Sequence, residues 1–294
     1  MKQKGNSALH REPCKAARAK NQRWTSHFGF ALLIFFIGGP AASAMSTMGS
    51  PSAGLRQAQF RVGADYSYNK MDLKFSDGKY VEYLDGFYDI SGPQSNLKLK
   101  DVKVNTVYAN LGYGVTDYFE VFLRLGGTNA TFGGTTFWES GEDFDSDTDF
   151  AIGGGVKATF YENGRLKIGG LFQADWSEWD GAIRPKDWPV ADDTVTFDVT
   201  QLQIAAGPSY QLTDMVSIYG GPFLHFVYGD WQDIYSYVDG GLITAKNTWT
   251  VEEDACFGGY IGTQIDLAEN SIFLLEYQHT SAADAFGASV AVKF

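Results

Sequence analysis

The segment Phe286-Gly287-Ala288-Ser289-Val290-Ala291-Val292-Lys293-Phe294 sets large or apolar residues on every second position and closes the sequence on an aromatic ring. A strand points successive side chains to opposite faces, so Phe286, Ala288, Val290, Val292 and Phe294 share one face and Gly287, Ser289, Ala291 and Lys293 the other. Such a segment fits either the edge of an ordinary sandwich or a strand with lipid on its apolar side.

The same alternation recurs upstream. Residues 58 to 68 set Ala58, Phe60, Val62, Ala64, Tyr66 and Tyr68 against Gln59, Arg61, Gly63, Asp65 and Ser67. Residues 101 to 113 form a further strand, with ambiguous parity near Asn105 that suggests a bulge. Gly114-Val115-Thr116-Asp117 then turns tightly into residues 118 to 127, with Phe119, Val121, Leu123 and Leu125 opposite Glu120, Phe122 and Arg124. Residues 149 to 160 and 165 to 177 flank Asn163-Gly164, 196 to 211 and 215 to 228 flank Leu212-Thr213-Asp214, and 252 to 266 and 271 to 280 flank residues 267 to 270. With 285 to 294 this predicts ten strands, an all-β antiparallel up-and-down barrel over residues 57–294. An even count puts both ends and the short turns on one side. The long connections, 69 to 100, 128 to 148, 178 to 195 and 229 to 248, fall on the other, with extra strands or a hairpin open within 69 to 100.

These alternating strands, the tight turn LGYGVTDYFEVFLRLG and the terminal Phe294 resemble the small outer-membrane β-barrel proteins of bacteria. The resemblance implies outer-membrane lipid and the barrel assembly machinery as partners, with Phe294 as the assembly signal. The front of the chain agrees. Residues 1 to 27 carry seven basic residues against Glu12, an apolar run spans Phe28 to Ile37, and Ala42-Ser43-Ala44 offers small residues for cleavage. Residues 1–44 are therefore expected to be a signal peptide cleaved after Ala44, and residues 45–56 a periplasmic lead-in. The apolar run is half the roughly twenty residues a membrane-spanning helix needs.

Without residues 1–44, 16 basic residues face 34 acidic ones. That field disfavours nucleic acid. Cys256 alone remains, so no internal disulfide forms.

Inward parity collects Arg61, Asp65, Glu120, Arg124, Asp149, Lys157, Lys167, Asp175, Asp254, Glu276 and Lys293. Near-balanced signs suit a network of ion pairs filling a narrow lumen, since about eight strands already leave room only for side chains. Arg61, Asp65, Glu120, Arg124, Lys157, Asp175 and Glu276 are its principal candidates. Asp143, Asp145 and Asp147 alternate in an acidic stretch that reads first as a solvated loop; its alternate carboxylates also suit weak Ca2+ binding, no tighter than roughly 10⁻⁴ to 10⁻³ M. No cofactor is otherwise expected. His225 should face the lumen near acids such as Asp230 and His279 outward beside Tyr277; both read as structural. The omptin proteases, also ten-stranded with His and Asp at the outer rim, are similar in strand count alone. Aromatics such as Phe137, Trp138, Trp179, Trp188 and Trp231 in the long connections read as girdle and loop packing. The leading expectation is a non-enzymatic, porin-like barrel with a filled lumen, its outer loops serving envelope structure or an unidentified external ligand. A narrow solute or ion channel and, behind it, a rim-site hydrolase are the alternatives.

Overall fold

The computed structural model describes residues 45–133, 143–183, 190–239, 241–253 and 255–294. Residues 1–44, with the expected cleavage site, and Phe137, Trp138, Trp188 and Asp254 lie outside them. Among the described residues thirteen strands form one antiparallel sheet: β1 Phe60–Leu84, β2 Phe87–Pro93, β3 Leu97–Thr116, β4 Phe119–Phe132, β5 Phe144–Asp145, β6 Asp149–Asn163, β7 Leu166–Gly181, β8 Val190–Gln211, β9 Val216–Val238, β10 Leu242–Glu253, β11 Phe257–Ala268, β12 Ser271–Thr280 and β13 Ala283–Lys293. The sheet closes where β13 pairs with β1, Arg61 opposite Lys293 through Met71 opposite Ala283. At that seam Phe294 and Phe60 exchange backbone hydrogen bonds of 2.9 and 3.2 Å.

The barrel changes its strand number along its axis. Its lower ring has the ten expected strands, β1, β3, β4, β6, β7, β8, β9, β11, β12 and β13. At Ser281-Ala282 the β12–β13 hairpin turns back, and at Leu224 the pairing of β9 with β11 ends. Above that level β10 alone bridges β9 and β1, pairing Tyr228–Val238 on one side and Leu73–Leu84 on the other. One strand takes the place of three, and the upper ring has eight.

Two expected long connections are therefore largely strand. Residues 69 to 100 hold the upper half of β1, the β1–β2 hairpin and the start of β3, while 229 to 248 are the upper half of β9 and the start of β10. The expected strand 252 to 266 divides into β10 and β11. Below, the expected register holds. Phe60, Val62 and Tyr68, Phe150, Ile152 and Phe160, and Ile168, Phe172 and Trp176 are exposed on the outer face, whereas Arg61, Asp65, Lys157, Gln173 and Asp175 are buried inside. The hairpin at Asn163 is tight because Gly164 takes φ +59°, a conformation that favours glycine. Apolar residues outside and charged ones within invert a soluble protein's arrangement and make this the membrane-spanning kind of β-barrel.

The outer face changes character at one level. On β1 the apolar run ends at Tyr68 and is followed by Lys70, Asp72 and Lys74; on β7, Trp176 is followed by Glu178 and Asp180; on β9, Tyr228 by Asp230 and Gln232. From Phe60 to Tyr68 the band is nine residues long, matching the roughly 9 to 11 a tilted strand needs to cross the hydrocarbon.

Candidate functional site: the sealed lumen

Residues 45 to 55 do not lie beneath the barrel as a periplasmic lead-in. They run up inside it. Met45, Met48, Ala53 and Leu55 are buried, as are Ser46, Thr47 and Ser52. A ten-stranded ring is wider than side chains fill by themselves, and this segment, rich in Ser, Gly and Ala, occupies the surplus. Wall glycines admit it: a Cβ at Gly169 would stand 2.6 Å from Ser52 Cα, and one at Gly287 would collide with Thr47.

An extended segment in a lumen cannot satisfy its own backbone groups, so the wall does so. Glu276 accepts the amides of Met48 and Gly49, each at 2.8 Å, and Glu120 accepts that of Gly54 at 2.9 Å. The Thr159 hydroxyl accepts the Ala53 amide at 3.1 Å. In the other direction Lys157 donates to the Met48 carbonyl at 2.7 Å, Arg124 donates to that of Thr47, and Gln173 and Gln278 donate to that of Ser46 at 3.3 and 2.9 Å. Gln173, Gln203 and Gln278 form a chain across the lumen, with links of 2.5 and 2.8 Å.

The seven lumen candidates come together here. Arg61 meets Glu120 at 2.6 Å, and Arg124 lies between Asp65 and Asp175 at 3.5 and 3.8 Å, its guanidinium over the Phe122 ring at 4.9 Å. Lys157 and Glu276 complete the set through the plug rather than through each other. Sequence parity put these charges inside; it missed the plug, whose short polar string has no period to detect. A cavity of about 40 Å³ between plug and wall, lined among others by Ser52, Arg61 and Lys157, has room for only a few waters.

Above the plug the filling is apolar. Met71, Leu73 and Phe75 of β1, Leu99, Val102 and Val104 of β3, Trp179 of β7, Phe197 of β8, Trp231 of β9 and Trp249 of β10 point inward and are buried. Phe132 and Phe144 stack with centroids 4.6 Å apart, Trp179 meets Phe197 edge-on at 4.8 Å, and Trp231 packs against Phe75 and Phe197, each at 5.6 Å. Trp179 and Trp231, expected in girdle or loops, are with Trp249 the largest side chains of this second seal.

His225 lies at the junction of the two fillings, as its parity implied, but its partner is not Asp230, which faces outward. Nδ1 is 2.8 Å from Glu253 Oε2, without the alignment of a hydrogen bond, and Nε2 is 3.2 Å from Gln201 Oε1. Histidine and carboxylate alike are cut off from solvent. His279 is outward as expected, its Nδ1 sharing Asp284 Oδ1 with the Tyr277 hydroxyl at 2.8 and 2.5 Å. Asp143, Asp145 and Asp147 are all exposed, spaced along an extended segment whose intervening Phe144 and Ser146 are buried. Among the described residues no group of three or more His, Cys, Asp or Glu is arranged to hold a metal.

The outer face of the upper ring is divided by charge. Lys70 stands opposite Lys103 and Lys74 opposite Lys98 across β1 and β3, with Asp101 2.7 Å from Lys70 and Asp72 3.7 Å from Lys98 among them, while Glu178, Asp198 and Asp230 lie in one row across β7, β8 and β9. In that row Glu178 is held above the ordinary carboxylate range by burial and by Asp180 and Asp198 beside it.

No family model matches this sequence, and no curated protein matches it. Among solved structures it is similar to the outer membrane protease OmpT of Escherichia coli, at 10% identity and a TM-score of 0.40 over 80% of this chain and 97% of that one. It is similar to the outer membrane protein OprG of Pseudomonas aeruginosa at 14% identity and a TM-score of 0.38, over 71% and 97%. It is also similar to the toluene transporter TbuX of Ralstonia pickettii at 11% identity and a TM-score of 0.35, over 81% and 90%. Likenesses this distant transfer no activity to this chain. What its own geometry establishes is a membrane-spanning β-barrel whose lumen is filled by an internal plug below and by an aromatic core above.

Proposed function

We propose that this protein is exported, cleaved after Ala44, and assembled in the outer membrane as a closed, non-enzymatic barrel. Its eight-stranded upper ring is a rigid head outside the bilayer, serving envelope structure or contact with an external ligand. The observation that carries this reading is the double filling of the lumen, a hydrogen-bonded plug beneath a packed aromatic core. A transport path would have to displace both. The buried ring of His225 speaks against a rim-site hydrolase, because a general base must come within about 3 Å of its substrate's proton. The lysine flank lies where phosphate groups of the outer leaflet would meet the barrel, which suits outer-membrane lipid as a partner. Phe294, its ring exposed at the seam, suits recognition by the assembly machinery.

Reconstitution in a planar bilayer tests the reading. The expected result is no sustained conductance step from barrels that show heat-modifiable migration. A large, steady conductance would replace the closed barrel with a channel.

A further inference from the structure

The plug's described end, Met45, lies where the charges of the lumen do not balance. Buried in and just above the ten-stranded ring are the carboxylates of Asp65, Glu120, Asp175, Glu253 and Glu276. Facing them are Arg61, Arg124, Lys157 and, when protonated, His225. Lys293, half-buried at the lower rim, faces Asp266 there. At this level four cations face five carboxylates, Asp233 lying higher in the upper ring where the Asn247 amide donates to it at 3.0 Å, and a buried charge without a partner is strongly destabilising.

The shortfall has a location. Glu120 has Arg61, and Glu276 has two plug amides and Gln278. Asp65 takes the Asn110 amide at 2.8 Å and the Ser289 hydroxyl at 2.5 Å besides its contact with Arg124. Asp175 is left with Arg124 at 3.8 Å, the Ser46 hydroxyl and the field of His225, whose ring stands 2.8 Å from Glu253, and its Oδ1 accepts no hydrogen bond. Ser46 is the residue next to Met45, whose Cα is therefore about 3.8 Å from that of Ser46.

We infer that the α-ammonium of Met45 is the missing lumen cation and that it pairs with Asp175 at the top of the plug. The inference rests on cleavage after Ala44. In the precursor the Met45 nitrogen is a neutral amide. When the signal peptidase of the export pathway hydrolyses the Ala44–Met45 bond, water supplies the hydroxyl of the new Ala44 carboxylate, which leaves with the leader. The amine on Met45 takes up a proton, its ordinary pKa being about 7.7 to 8.0. Processing thus creates the charge that completes the plug.

The test uses the barrel purified from outer membranes. Its intact mass should begin at Met45; any other start removes the cleavage reading and the pairing with it. With that mass confirmed, 2-pyridinecarboxaldehyde, which condenses with α-amines, should label the folded barrel at least tenfold more slowly than the unfolded chain. Equal rates would overturn the pairing and leave the cleavage reading intact. Asp175→Asn should raise labelling of the folded barrel at least tenfold. So should one Gly inserted between Ala44 and Met45, which moves the ammonium while leaving the carboxylate. Protection unchanged in either folded variant would assign it to burial alone and overturn the inference.

Discussion

The lower ten-stranded ring and the upper eight-stranded ring share six continuous strands, β1, β3, β4, β7, β8 and β9, yet they are built on opposite rules. On β1, Phe60, Val62, Tyr66 and Tyr68 point out while Arg61, Asp65 and Ser67 point in; one turn of the pleat higher, Lys70, Asp72 and Lys74 point out while Met71, Leu73 and Phe75 point in. The strand does not rotate between them. What changes is the solvent, hydrocarbon around the lower ring and water around the upper, and each face takes the residues its surroundings favour. The strand number follows the same division. Eight strands enclose a space that aromatic and branched side chains fill, whereas ten leave a surplus that the chain's own residues 45 to 55 occupy.

If the two interiors differ in this way, removing a large side chain should destabilise each by a different mechanism. Trp231→Ala in the upper ring should cost about 3 to 5 kcal/mol through the cavity it leaves, and Trp231→Phe much less. Arg124→Ala in the lower ring should cost a similar amount, roughly 3 to 5 kcal/mol, by stranding Asp65 and Asp175, with Arg124→Lys recovering only part. Urea unfolding in detergent micelles measures both. An Arg124→Ala barrel as stable as wild type would mean that water reaches the lower lumen.

The outer faces should differ as sharply. Arg at Val156, on the lipid face, should cost about 2 to 4 kcal/mol of unfolding free energy in bilayers, whereas Arg at Gln232, on the outer face of the head, should change it by less than about 0.5 kcal/mol. Equal penalties would put Gln232 in lipid and move the boundary upward.

The smallest effect concerns the acidic row. Like charges facing each other across strands are unfavourable, so Asp198→Asn should stabilise the barrel by a few tenths of a kcal/mol, up to about 1. Glu178, held above its ordinary range, favours the folded state when protonated, so the row's contribution should improve as pH falls through that raised value and worsen as pH rises. A melting temperature of Asp198→Asn that tracks wild type between pH 4 and 7 would show that the row carries no such strain.

How much of this was legible in the sequence follows from the same division. Strict alternation disclosed the wall of the lower ring, its register and the identity of its inward charges, because every second residue had to be apolar for lipid. The upper ring was equally periodic. Met71, Leu73 and Phe75 continue the alternation of Phe60 to Tyr68 with the apolar phase moved from even to odd positions, and Trp176 and Trp179 on β7 mark the same step. Treating that step as the end of a strand turned upper β1 and upper β9 into loops. The phase change marks where lipid gives way to water. The plug left no comparable trace: Met45 to Leu55 is specified by the space and the hydrogen-bonding groups of a wall distant in sequence, as in the pairing of Glu276 with Met48.

The most direct test of this account is a nitroxide scan of residues 60 to 76 on β1 in lipid vesicles, in a Cys256→Ser background. Collisions with oxygen should be high at 60, 62, 66 and 68. From 70 to 76 the even positions should instead collide with a water-soluble nickel chelate, and the odd positions should be shielded from both reagents throughout. Oxygen-rich collisions continuing through 72 and 74, or aqueous collisions at 71, 73 and 75, would contradict the change of solvent along a continuous strand on which the account depends.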